Sequence, residues 1–153
     1  MAALASAACA AAPTGAARAQ NAAQELNLNA RFGRMELAME SVAPGHREAF
    51  AERRRSWGSR VRIADAELSG FRLAGKEDAL VSVRVSWYLL DEQELRTTTL
   101  RQAWHDHRGD WLLEREERLD GDIGLLGEPI PRAEPSEPRP PAQFPTVRLG
   151  TNN

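Results

Sequence analysis

Residues able to do chemistry are few and scattered in this chain. Trp104-His105-Asp106-His107 is the run with metal-ligand residue types. On a strand His105 and His107 share a face, which suits two imidazole ligands, but they take the outward parity, adjoin a turn, and have no third ligand placed by spacing. A solvated hairpin tip is the reading they favour, and no metal is expected. Asp120-Gly121-Asp122 opens like a calcium loop, yet Gly124 occupies the fifth position, where a ligand belongs, and Glu128 arrives too early for the twelfth. Arg53-Arg54-Arg55 offers cations for phosphate, but three consecutive helical residues point in three directions, and a solvated face follows. His46 reads as part of a helix start. The single cysteine, Cys9, excludes an intrachain disulfide and a cysteine-based zinc site.

These residues hang on the stretch from Ala79 to Glu117, which reads as a three-stranded antiparallel meander. Val81, Val83, Val85, Trp87 and Leu89 alternate with Ser82, Arg84, Ser86 and Tyr88, the period-two signature of a sheet with one buried face. With Leu90 facing Leu95 over a four-residue loop, Val81 is expected opposite Trp104, Val85 opposite Leu100 and Trp87 opposite Thr98. An even-numbered loop at the second turn, either Arg108-Gly109 or Asp106 to Gly109, keeps Trp111 and Leu113 on the face of Trp104. Trp87, Trp104 and Trp111 then line one concave surface, with Arg96, Thr98 and Gln102 as its inward polar residues. Arg115, Glu117 and either Asp65 or Glu67 are further inward candidates. This set has no acid–histidine pair and no serine in a nucleophile elbow, so catalysis lacks support and no cofactor is expected.

Around the meander the chain divides into three. Residues 1–24 are alanine-rich and read as a disordered leader or signal remnant. Ala17-Arg18-Ala19 has the form of an A-x-A cleavage site, and Leu4-Ala5-Ser6-Ala7-Ala8-Cys9 resembles a degraded bacterial lipobox in which Cys9 would carry the lipid. Residues 25–127 make the folded domain. A helix is expected from Glu25 to Val42, with Leu28, Phe32, Met35, Met39 and Val42 as its apolar stripe, ending at Pro44-Gly45. A second runs from His46 to about Trp57, with Phe50 and Trp57 inward. Arg60 to Leu73 reads as a strand bulged near Ala64-Asp65 and again at Ser69-Gly70, since its apolar parity switches twice. Residues 128–153 hold seven of the nine prolines and read as a disordered tail with a short apolar segment at 144–149.

With 20 basic and 22 acidic residues interspersed and a net charge of −2, the surface suits neither nucleic acid nor an anionic membrane. No span approaches the roughly 20 apolar residues of a membrane helix, so a membrane enters only through a lipid anchor.

Two helices, a bulged strand and a meander ending in the hairpin Trp104…Gly109…Trp111-Leu112 resemble the cone-shaped NTF2-like superfamily and its cystatin-like relatives over residues 26–118. The resemblance implies an α+β fold: two N-terminal helices packed on a curved four-stranded antiparallel sheet. Members of that superfamily include isomerase-like and dehydratase-like enzymes as well as non-catalytic accessory domains. The pocket Asp and His of the enzymes have no match here. The resulting expectation is a non-catalytic bacterial protein, exported to the periplasm or envelope or lipid-anchored there, whose domain binds a protein partner or a small apolar ligand. An NTF2-like enzyme acting on a small apolar substrate in the cone is the alternative, and a cytoplasmic location is the alternative to export. A homodimer through Tyr88, Leu90 and Leu112 on the convex face is a further expectation.

Overall fold

The computed structural model describes residues 12–92 and 94–130; Cys9 and the 144–149 segment lie outside them. The element order is α1 (Gly15–Arg31), α2 (Met35–Glu40), a 3-10 turn (Pro44–His46), α3 (Arg47–Arg53), β1 (Val61–Leu73), β2 (Asp78–Leu89), β3 (Arg96–His107) and β4 (Asp110–Gly121). The strands form one antiparallel sheet in the order β1-β2-β3-β4. The protein is therefore α+β, with a four-stranded meander.

The helices are where the expected two-helix architecture is corrected. Much of the supposed leader is helix: α1 starts at Gly15, capped by the Thr14 hydroxyl, which accepts from the Ala17 N–H at 3.2 Å. Ala19, Ala23, Leu26 and Ala30 form its buried stripe. Alanine stripes are small, so the helix backbone comes close to what it covers; a run that looks featureless is a packing face. The helix then stops in mid-pattern. Gly33 adopts φ 72°, its N–H donates to Ala30 O at 3.1 Å, and the Arg34 N–H donates to Asn29 O at 2.9 Å. These are the two bonds of a Schellman cap, whose left-handed residue is glycine because Cβ is disfavoured there. The break re-aims the chain, so the expected stripe fails at its first half. Leu28 is 45% exposed and Phe32 61% exposed, the latter flanked by the Arg31 and Arg34 guanidinium groups. Met35 and Met39 still pack on the core, and Val42 is fully buried.

After α2 the chain joins the sheet. The Ala43 N–H donates to Leu113 O at 3.0 Å and the Leu113 N–H to Ser41 O at 2.8 Å, a short parallel bridge along the free side of β4. The 3-10 turn and α3 follow, and α3 ends at Arg53 rather than near Trp57.

In the sheet, β1 carries its two register shifts at the positions read from the sequence, between Ile63 and Asp65 and between Leu68 and Gly70. The β2–β3 pairing keeps the expected faces but slides by two residues. Val81 pairs with Gln102, Val83 with Leu100, Val85 with Thr98 and Trp87 with Arg96. A slip of two preserves parity, so hydrophobic alternation could fix the faces without fixing the register. The second turn is the two-residue Arg108-Gly109 loop, with φ 60° and 107° and His107 paired to Asp110. Positive φ at both positions suits the twist of a tight hairpin.

Beyond β4, Leu125 is fully buried, and its carbonyl accepts from the Trp57 indole at 2.8 Å. The Glu128 carboxylate accepts from the Gly124 and Leu126 N–H groups at 3.1 and 2.9 Å, and Ile130 packs on the core. The residues from 128 to 130 thus belong to the fold rather than to the tail.

Candidate functional site

All three meander tryptophans are buried, but they do not line one space: Trp104 and Trp111 lie near one another at one end of the sheet, and Trp87 lies at the other, level with Arg96 on β3. Trp87, Trp104 and Trp111 are 0, 1 and 4% exposed, and Thr98 and Gln102 are fully buried beside them. The Trp87 indole donates to Thr98 Oγ1 at 2.9 Å, and the Trp104 indole to Gln102 Oε1 at 3.3 Å. Arg96 sits at the end of this row, paired with Glu92 at 2.5 Å and lying over the Trp87 ring. The open concave pocket is corrected to a packed interior. Rings of this size supply much of the apolar area in a small core, and each of the three is packed among core residues instead of facing an open cavity.

Within that interior runs a polar chain that the sequence reading missed. Gln102 and Asn27 exchange amide hydrogen bonds at 3.0 and 3.1 Å, linking β3 to α1. The Gln102 amide also donates to Glu116 Oε2 at 2.8 Å. Glu116 receives Arg54 Nη2 on both oxygens, at 2.6 and 2.7 Å, and the two side chains are 4 and 0% exposed. The Arg54 guanidinium lies over the Phe50 and Trp57 rings, 3.7 and 4.8 Å from their centroids. This is a neutralised ion pair held between aromatic faces.

Two features concealed it. Arg54 falls on the Phe50–Trp57 stripe at i, i+4, i+7, so one member of the arginine run faces the core although the run as a whole has the composition of a solvated face. Glu116 turns inward because β4 carries a bulge. Ala103 pairs with Arg115 and Trp104 with Leu113, which leaves Glu114 as the extra residue and exchanges the faces beyond it. Arg115 and Glu117, expected inside, consequently point out, and Glu117 instead binds Arg101 at 2.7 Å on the surface. That contact holds the Glu117 carboxyl below its ordinary range. Asp65 and Glu67, the other inward candidates, are exposed and pair with Arg31 and Arg84.

Beside the ion pair a cleft of about 140 Å³ opens between α3 and β4. Val42, Phe50 and Leu113 are its apolar wall, and His46, Arg53, Glu114, Arg115 and Glu116 its polar side. Arg53 Nη1 donates to the Glu116 carbonyl at 2.7 Å.

The three histidines gather at the hairpin end. His107 and His46 approach the two oxygens of Glu114, at 2.8 and 3.5 Å, and His105 binds Asp78 at 2.8 Å. The Asp78 hydrogen bond raises the affinity of His105 for its proton, ahead of the opposing desolvation, and the charges of Asp78, Glu77 and Glu114 add to it. Each imidazole has a carboxylate partner, and among the described residues no group of three such side chains is arranged to hold a metal ion.

The class these elements define is an α+β domain with a solid, tryptophan-filled interior. No family profile matches the chain, and no curated protein sequence does. In fold it is similar to the solution structure of a SEC-C motif containing protein from Rhodopseudomonas palustris. The TM-score is 0.52 at 16% identity, over 61% of this chain and 72% of that one. At such identity the likeness concerns the fold alone. The expected NTF2-like or cystatin-like class is corrected accordingly: the architecture is shared with a SEC-C motif containing protein.

Proposed function

We propose that this chain is a non-catalytic binding module of the bacterial envelope, tethered by a lipid on Cys9. The observation that carries the first part is the filled interior. The rings expected to enclose a substrate are instead buried in the core at the two ends of the sheet, and the titratable pair inside, Arg54 and Glu116, is consumed by its own ion pair. This counts against the alternative, an enzyme acting on a small apolar substrate within the domain. Binding then falls to the surface.

The tether is favoured over cleavage at Ala17-Arg18-Ala19 by the position of that site inside α1. Cleavage after Ala19 would remove the Thr14 cap and a fully buried alanine, whereas a chain beginning at Cys9 keeps the helix whole. None of the described helices is long and apolar enough to cross a bilayer. Intact-mass analysis of the protein from its host's membrane fraction should find acylated Cys9, and Cys9→Ser should release the chain; a soluble protein with intact Met1 would rule the tether out. Acrylamide should quench the indole fluorescence of the folded protein weakly. Quenching as strong as in urea would mean an open interior and would restore the enzymatic alternative.

A further inference from the structure

The cleft between α3 and β4 has a size and a charge pattern that the buried network does not use. Its volume, about 140 Å³, is close to that of a cavity that accepts one benzene ring. It is well below the several hundred Å³ of a site for a larger cofactor. The wall is apolar, with Val42, Phe50 and Leu113 each at most 4% exposed.

The charges around it are unbalanced. Glu116 is neutralised from behind by Arg54, which leaves the Glu114 carboxylate, paired with His46 and His107, against the two cations Arg53 and Arg115. Arg53 is occupied only by a backbone carbonyl, and among the described residues neither Arg53 nor Arg115 has a carboxylate partner within ion-pair distance. Both are exposed at the cleft. Two arginines beside a ring-sized apolar wall match a ligand with one negative charge and a short apolar body, because guanidinium and carboxylate form charge-assisted hydrogen bonds.

We propose that this cleft binds a small monocarboxylate whose body is one ring or a short alkyl chain. The body lies against Val42, Phe50 and Leu113, and the carboxylate meets Arg53 and Arg115. This inference rests on the binding-module reading and gives that module a ligand class. A ligand of so few atoms binds weakly, with a Kd on the order of 1 mM.

The test is an amide-resolved NMR titration of the full chain with benzoate, with benzamide and benzylamine as charge controls. Benzoate should shift the amides of Val42, Phe50, Arg53, Leu113 and Arg115 saturably, while benzylamine shifts none of them. Replacing the exposed Arg115 by Gln should weaken benzoate by about tenfold, the loss of one charge-assisted contact, and leave the melting temperature unchanged. Arg53→Gln checks the second cation in the same way. Benzamide binding as tightly as benzoate, shifts elsewhere, or no saturable shift would each overturn the proposal. Such a failure with acylated Cys9 and shielded indoles would remove the ligand class and leave the module standing, whereas unshielded indoles would remove both.

Discussion

Replacing Arg54 by Met removes the cation of the buried pair while keeping an unbranched side chain between Phe50 and Trp57. Glu116, 4% exposed, is then left with the Gln102 amide as its hydrogen-bonding side-chain partner. An uncompensated buried carboxylate costs about 3–5 kcal/mol. A small part of this is returned, because the substitution also removes Arg54 Nε and Nη1, which are buried without hydrogen-bond partners. The net expectation is a destabilisation of about 2–4 kcal/mol, a large share of the 5–15 kcal/mol typical of a domain. Urea unfolding followed by tryptophan fluorescence measures it, with an unchanged m-value as the sign that the same surface is exposed. The double variant Arg54→Met, Glu116→Leu removes both charges, and Gln102 keeps its Asn27 partner, so it should recover to within about 1 kcal/mol of the parent. If Arg54→Met cost less than about 0.5 kcal/mol, or the double variant were no better than the single, the reasoning that this pair is buried and mutually dependent would fail.

Trp104→Ala should cost about 3–5 kcal/mol in the same assay, since the ring is 1% exposed and its indole anchors Gln102; a retained melting temperature would contradict its place in the core. Gly121→Ala should be among the most damaging single-atom additions, because φ is 88° and the new Cβ would stand 2.2 Å from the Thr97 carbonyl oxygen; a variant that melts like the parent would refute this close approach. His105 should titrate above the ordinary imidazole value of about 6.5 and return toward it in Asp78→Asn, as read from its ring proton shifts. Because the folded value is the higher one, the Asp78 contact adds stability that is complete below the unfolded value and fades as pH rises through the folded one; identical titration in both proteins would dismiss the contact.

How much of this could be read beforehand depends on the kind of signal. Strand faces were legible from Val81 to Leu89, because alternation responds to burial, and the β1 bulges were legible because they break that alternation. The β2–β3 register was not, since a shift of two leaves every face unchanged. The extent of α1 was hidden by composition: Ala19 and Ala23 give little hydropathy contrast, although small side chains are what a close-packed helix face needs. Its end at Gly33 was masked by the apparent continuity of Phe32, Met35 and Met39. For the site, parity gave the shared face of Trp87, Thr98, Gln102 and Trp104 but not their spacing along it, which leaves Trp87 and Trp104 at opposite ends of the sheet, and the difference between lining and filling a space depends on volumes that parity does not carry. Arg54 and Glu116 were hidden for opposite reasons, one because its neighbours Arg53 and Arg55 are exposed and the other because of the Glu114 bulge.

The irregularities of β1 and β4 also bear on how copies of this protein meet. These are the outer strands of the sheet, and each has two interruptions in its ladder, near Ala64 and Ser69 on one side and at Glu114 and Leu119 on the other. Arg31 donates to the Ala64 carbonyl at 2.8 Å, and the Ser41–Ala43 bridge occupies β4 at Leu113. A neighbouring strand approaching either border would find a bent row of donors and acceptors, partly spoken for, rather than a straight template. The borders thereby discourage continuous sheet growth from one molecule to the next. That protection matters for a domain whose inner strands, rich in valine and tryptophan, would aggregate readily if they were presented at an edge.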